Sequence, residues 1–334
     1  MTEAELDDLL STPRPETAAA LDACPGDVVI LGAGGKMGPT LARMVRRAAR
    51  DGRRVIAVSR WSSAAAERTL ENAGVQTLRC DLLDRRAVDA LPDASNVVFM
   101  AGQKFGTTGA PAMTWGMNTV VPAICAERYH SSRIAAFSTG NVYALTPITS
   151  GGSRETDQPA PVGEYAASCL GRERVFELYA ERCGTRVAIV RLNYAIDLRY
   201  GVLVDIALRV YRGEPVPVDM GYVNVIWQCD ANRIAIESLA HAAAPPFVVN
   251  VTGGETLSVR SLAQTFAERF GKPARFSGDE RRDALLSNTS RMQSTFAPPS
   301  TSLDDMISRV ADWVGHGGAL LGKPTKFEAR DGNF

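Results

Sequence analysis

The first residues whose types and spacing could do chemistry are glycines. Gly32, Gly35 and Gly38 punctuate the stretch Gly32-Ala33-Gly34-Gly35-Lys36-Met37-Gly38, directly after the apolar run Val28-Val29-Ile30-Leu31. Glycine allows a sharp turn, lets backbone approach a pyrophosphate, and packs a helix closely on a strand. Leu41, Met44 and Val45 follow at helical spacing, so the motif reads strand, tight turn, helix. The N–H groups and partial positive charge at such a helix start favour phosphate. The chemistry is therefore anion binding, and the expectation is a dinucleotide site; a purely structural turn is the alternative.

The end of the second strand selects the dinucleotide. An acidic residue there accepts from the adenine ribose hydroxyls and repels a 2′-phosphate. Ser59 and Arg60 stand there instead, and Lys36 projects from the glycine turn. Two cations with a hydroxyl suit a phosphate, so the reading is NADP(H), with NAD(H) through other contacts as the alternative. Asp81, closing the third strand, is placed to accept from the adenine amino group or to start the next turn.

These groups need a scaffold. Apolar runs at Arg54–Val58, Val75–Arg79, Asn96–Ala101, Arg133–Ser138 and Arg186–Arg191 alternate with helical patterns, the longest over 163–183. That alternation predicts an α/β fold of Rossmann type, a doubly wound parallel sheet with right-handed crossovers. Beyond residue 192 short strands and helices mix between prolines, which predicts a smaller C-terminal substrate-binding lobe with a strand or two returned to the sheet. The expected organisation is an extension over 1–25 (a helical cap or a loosely held arm), a nucleotide-binding domain over 26–192, and the lobe over 193–334. The polar tail from Lys323 is expected to pack on a neighbour or fray.

Composition narrows the class. The 334 residues carry 37 charges of each sign, which suggests neither a nucleic-acid nor a membrane surface. The acidic N-terminus is wrong for a secretory signal, and no apolar run approaches the ~20 residues of a membrane span. Six scattered cysteines read as reduced thiols of a cytoplasmic protein, and with three histidines they form no metal-type cluster.

Taken in order, these segments resemble the extended short-chain dehydrogenases/reductases, which include nucleotide-sugar epimerases and dehydratases. The likeness runs from about residue 27 to about 315. It starts with GAGGKMG and the CDLLD segment, which by the match adds Met37 and Leu82 to the cofactor contacts. Ala101-Gly102-Gln103-Lys104-Phe105-Gly106 is similar to the loop after the fourth strand in UDP-sugar epimerases, with Lys104 against the pyrophosphate. Asn118 matches the helix asparagine that supports the cofactor site. Ser138–Tyr143 resembles the strand end at which Thr139 bonds the substrate oxygen and Asn141 borders the substrate. Tyr165 matches the catalytic tyrosine, and Asn193 or Tyr194 the asparagine that touches substrate. The resemblance also implies a homodimer through 107–128 and 163–183.

The departure is at the centre. The family pairs its tyrosine with a lysine one helical turn on; here Tyr165-Ala166-Ala167-Ser168-Cys169 has a cysteine. A phenol near pKa ~10 is about one part in a thousand ionised at neutral pH, and a lysine makes up part of that gap. A cysteine nucleophile has no histidine nearby in sequence, so a small buried thiol is the plainer reading of Cys169. Without the lysine, Tyr165 works with a cation from elsewhere, Arg172 or Lys104, or donates its proton as a neutral phenol. The expectation is an NAD(P)-dependent oxidoreductase acting on a hydroxyl or carbonyl of a sugar-like substrate. The alternatives are an epimerase or dehydratase that recycles its cofactor internally, and a non-catalytic NADP-binding sensor.

Overall fold

The computed structural model describes residues 1–104 and 109–332. Its main sheet holds β1 (Val28–Leu31), β2 (Val55–Ser59), β3 (Gln76–Arg79), β4 (Asn96–Phe99), β5 (Arg133–Thr139), β6 (Arg186–Leu192) and β7 (Phe247–Val251). The spatial order is β7-β6-β5-β4-β1-β2-β3, every neighbouring pair parallel. This is a Rossmann-type α/β sheet. Its central strands are near-continuous apolar runs because both faces are covered.

Alternation along β1 shows the layering. Val28 and Ile30 enter the core under α2 (Pro15–Ala23), α3 (Gly38–Ala48) and α10 (Gln228–Glu237). Val29 and Leu31 enter the opposite core, which α7 (Val121–Arg128) and α8 (Gly163–Cys183) cover. A third core belongs to the C-terminal lobe, built on α9 (Val202–Arg212), α11 (Val259–Phe270) and α13 (Leu303–Gly315).

Both chain ends differ from a loose or frayed arm. Residues 3–10 and 15–23 form two helices, with Leu6 and Leu10 buried in the lobe core and Leu21 in the sheet core. The tail, expected to pack on a neighbour or fray, instead crosses its own chain. Phe327 is 1% exposed in the lobe core, Arg330 donates to Asp283 at 2.7 Å, and Gly332 lies against Val162 and Gly163.

One buried pair fixes α8 on the sheet. Arg191 of β6 donates from Nη2 to Glu173 Oε2 of α8 at 2.7 Å, with side chains 4% and 1% exposed. Ser138 donates to Glu173 at 2.5 Å, and Arg191 donates to the Tyr143 hydroxyl at 2.6 Å. Tyr143 in turn donates to Asn250 Oδ1 of β7 at 2.8 Å. Removing one partner strands a buried charge. Glu173→Ala is therefore expected to lose about 3–5 kcal/mol of stability, read by denaturant unfolding, with Glu173→Gln losing less.

Candidate functional site

The glycine turn is built as its composition demands. Gly32 sits at φ +90°, and a Cβ there would enter the Ala101 backbone; a Cβ on Gly38 would enter the Ala33 carbonyl. Above Gly35 the space is open apart from the Gly32 carbonyl. The N-terminus of α3 has no side-chain cap, with Met37 at the N-cap and Pro39 in its first turn. A glycine cradle, an uncapped helix start and two lysines at its rim suit a dinucleotide's diphosphate.

A cavity of about 150 Å³ brings together Lys36, Met37, Lys104, Thr139, Asn141, Tyr165, Asn193 and Tyr194. Tyr200, Gln228 and Thr325 also line it; sequence reasoning missed all three. Lys36 reaches this cavity rather than Ser59 and Arg60, its Nζ lying 3.1 Å from the Tyr200 ring centroid. Arg60 is exposed and Ser59 packs against Gly34. Asp81 caps its own turn by accepting from the Leu83 N–H at 3.1 Å, while Leu82 and Ala101 are buried. Phe105 and Gly106 lie outside the described residues.

Asn118 ties the site's two walls together. It occupies a turn of π-helix, Gly116–Val120, where the bulge turns a side chain out of the regular ladder. Its Oδ1 accepts from the Gln103 N–H at 2.9 Å, and its Nδ2 donates to the Gln103 carbonyl at 3.0 Å. The same Nδ2 donates to Ser168 Oγ at 2.9 Å, within the helical turn that separates Tyr165 from Cys169. Arg172, 6% exposed, donates to Asn118 Oδ1 at 2.7 Å and to the Phe137 carbonyl at 2.8 Å. A side chain on Gly102 would collide with that guanidinium.

Thr139, Tyr165 and Cys169 come together at the other end of the cavity wall, with Thr139 and Cys169 both within hydrogen-bond reach of the Tyr165 hydroxyl. Thr139 Oγ1 donates to Asn141 Oδ1 at 3.0 Å and accepts from its N–H at 3.2 Å, fixing the strand end. Burial pushes the Tyr165 phenol well above its usual range, and the Cys169 thiol adds to this; Arg172 and the Thr139 hydroxyl pull it partway back. Burial also raises Cys169, which is 1% exposed, so both groups are protonated at neutral pH. The lysines move the other way. Burial brings Lys104 down to about 8, and burial with the nearby Lys104 and Lys323 charges brings Lys36 down to about 7.

The model for the NAD dependent epimerase/dehydratase family matches residues 28–196, half of the chain, and the protein belongs to that family. A UDP-glucose 4-epimerase from Thermotoga maritima, solved with UDP-glucose, superposes with a TM-score of 0.73 at 18% identity over 87% of this chain and 99% of its own. The UDP-glucose 4-epimerase of Thermus thermophilus, solved with NAD, gives 0.70 at 21% over 86% and 98%. A dTDP-glucose 4,6-dehydratase from Streptomyces venezuelae, with NAD bound, gives 0.73 at 18% over 87% and 97%. No curated protein matches in a sequence comparison.

The lowered Lys36 pKa gives a stability test. Between about 7 in the fold and the ordinary 10.5, the unfolded chain holds the proton that the fold has released. Stability attributable to Lys36 therefore rises with pH across that window, and its penalty is largest below it. Lys36→Met is expected to raise Tm near pH 6–7, with the gain shrinking toward pH 10.

Proposed function

We propose that the protein is an NAD(P)-dependent oxidoreductase reducing a carbonyl on a sugar-like substrate, with Tyr165 as a neutral proton donor. The observation that carries this reading is the placement of Tyr165 against the buried Cys169 and beside Thr139, with an uncharged thiol where the family has a lysine, so that burial favours the neutral phenol. A phenol held neutral is suited to giving a proton, and a neutral donor needs no lysine to ionise it first. The bound nicotinamide would supply the hydride, which the family and the NAD-bearing neighbours support.

Thr139 turns its hydroxyl proton from Asn141 Oδ1 to the substrate carbonyl oxygen and orients it, and Tyr165 delivers its proton to that oxygen as the carbonyl carbon gains the hydride. The product is the alcohol, and Tyr165 is left anionic until it recovers a proton. Arg172 offsets that charge from the same helix, and Lys104, its Nζ 5.9 Å from the Tyr165 ring centroid, lies on the other side. Asn141, Asn193 and Tyr194 border the substrate. Lys36, Lys104, the glycine turn and Asn118 hold the dinucleotide, with Ser59 and Arg60 receiving a 2′-phosphate and making NADP(H) the preferred form. The sugar-nucleotide ligands of the neighbours support a sugar-like substrate.

A second reading, epimerase or dehydratase with an internally recycled cofactor, is favoured by the family itself. Cofactor that remains bound through purification would favour that reading over the reductase. The six free thiols support a cytoplasmic protein, and exposed Met113, Trp115, Val120 and Leu178 on neighbouring helices support a homodimer.

Two outcomes test the site. Tyr165→Phe is expected to lose about 10²–10⁴-fold of hydride transfer from NADPH across a panel of nucleotide-sugar carbonyls, while NADPH binding is unchanged. Unchanged turnover in that variant would sink the proton-donor role. Arg60→Glu is expected to weaken NADPH about tenfold or more and leave NADH unaffected, measured by fluorescence titration.

A further inference from the structure

The tail that crosses the site mouth is anchored at four points. Asp205 of α9 accepts from both the Thr325 N–H at 2.7 Å and the Thr325 hydroxyl at 2.5 Å. Phe327 fills the lobe core, Arg330 donates to the Asp219 and Asp283 carbonyls, and Gly332 lies on the start of the helix that bears Tyr165. Between the first two anchors, Lys326 is held at φ +52°, a left-handed conformation that lysine seldom adopts. Such a bend persists only where its surroundings over-determine it.

This strap brings two ammonium groups to two others. Lys104 Nζ donates to the Thr325 carbonyl at 3.4 Å and lies close enough to Lys326 to feel its charge, as Lys36 feels that of Lys323. Lys323 lines a groove with Tyr200 and Asp205, and Lys36 lies over that same Tyr200 ring. The carboxylates nearby are already engaged: Asp205 by Thr325, Asp197 by Arg199 at 2.8 Å, and Glu328 by Arg209 at 3.7 Å. Four lysines gathered around spoken-for acids create a local positive potential that an anion relieves. The cavity of about 150 Å³ is below the roughly 300–1,000 Å³ of ordinary ligand sites. An incoming ligand must therefore displace something, and the Thr325 carbonyl is the oxygen already facing Lys104.

We propose that the strap completes a four-lysine site for a diphosphate ester, Lys323 and Lys326 facing Lys36 and Lys104, with the Thr325 carbonyl standing where a phosphate oxygen will sit. The proposal rests on the reading of the glycine turn as a dinucleotide seat. The diphosphate belongs either to the dinucleotide or to a nucleotide-linked substrate. The lowered pKa values of Lys36 and Lys104 add that binding takes up protons, so affinity falls as pH rises through about 7 to 8.

The test titrates the full chain and its Lys323→Ala/Lys326→Ala variant with NADPH, NADH and uridine diphosphate, at several salt concentrations and with Tm recorded. Loss of about tenfold or more for both dinucleotides, with a shallower salt dependence, supports the site and assigns it to the cofactor. The same loss for uridine diphosphate alone supports it and assigns it to the substrate. Equal affinities for all three probes in a folded variant overturn the strap's role while leaving the parent reading standing. Wild-type protein that binds neither dinucleotide overturns the parent reading and this inference with it. Should the double variant fail to fold, the exposed Lys323→Ala alone decides by the same criteria.

Discussion

The site depends on a charge pair that no solvent reaches. Arg191 and Glu173 join the strand β6 to the helix α8, and Ser138, Tyr143 and Asn250 complete the arrangement. A buried pair of this kind is weak evidence of stability, since desolvating both ions offsets most of their attraction. What it contributes here is position. Glu173 lies eight residues from Tyr165 on one helix, so fixing it against β5 and β6, and through Arg191 and Tyr143 against β7, sets both the roll and the depth of Tyr165. Greasy contacts alone would let α8 slide; directional bonds to three strands do not.

A second fastening works on the adjoining turn of the same helix. Asn118 receives Arg172 and Gln103 on one oxygen while its nitrogen reaches Ser168, so the loop after β4 and the helix α8 move as a unit. The π-helical bulge at Gly116–Val120 is the device that turns Asn118 inward. Lys104 is carried on that loop, one residue past Gln103. Its backbone is therefore placed by the bonds to Asn118, and the end of its stem by the Thr325 carbonyl.

The scaffold was legible in the sequence because it is local. Apolar runs bounded by polar turns mark the sheet strands, and uninterrupted helical spacing marks 163–183, which is α8 to the residue. The glycine turn was legible for the same reason: close approach leaves no alternative residue type. Chain closure was not legible. Thr325 meets Asp205 across 120 residues and Lys104 across 221, and nothing in the spacing of a polar tail announces either contact. Lys36 shows the other limit. Its place in the turn is fixed by the glycines, but the direction of its four-carbon stem is fixed by Tyr200, an aromatic residue from the lobe.

The exchange of lysine for cysteine follows from the same packing and bears on what the site can do. A thiol at position 169 fills the space beneath Tyr165 without bringing a charge, and the nearest buried cation is Arg172, one turn further and turned down toward Asn118. The guanidinium, bonded to Asn118 and the Phe137 carbonyl, therefore acts on the phenol by its charge alone. That charge pulls the phenol's proton affinity partway down, but burial still dominates it. Such an arrangement favours proton donation over proton abstraction.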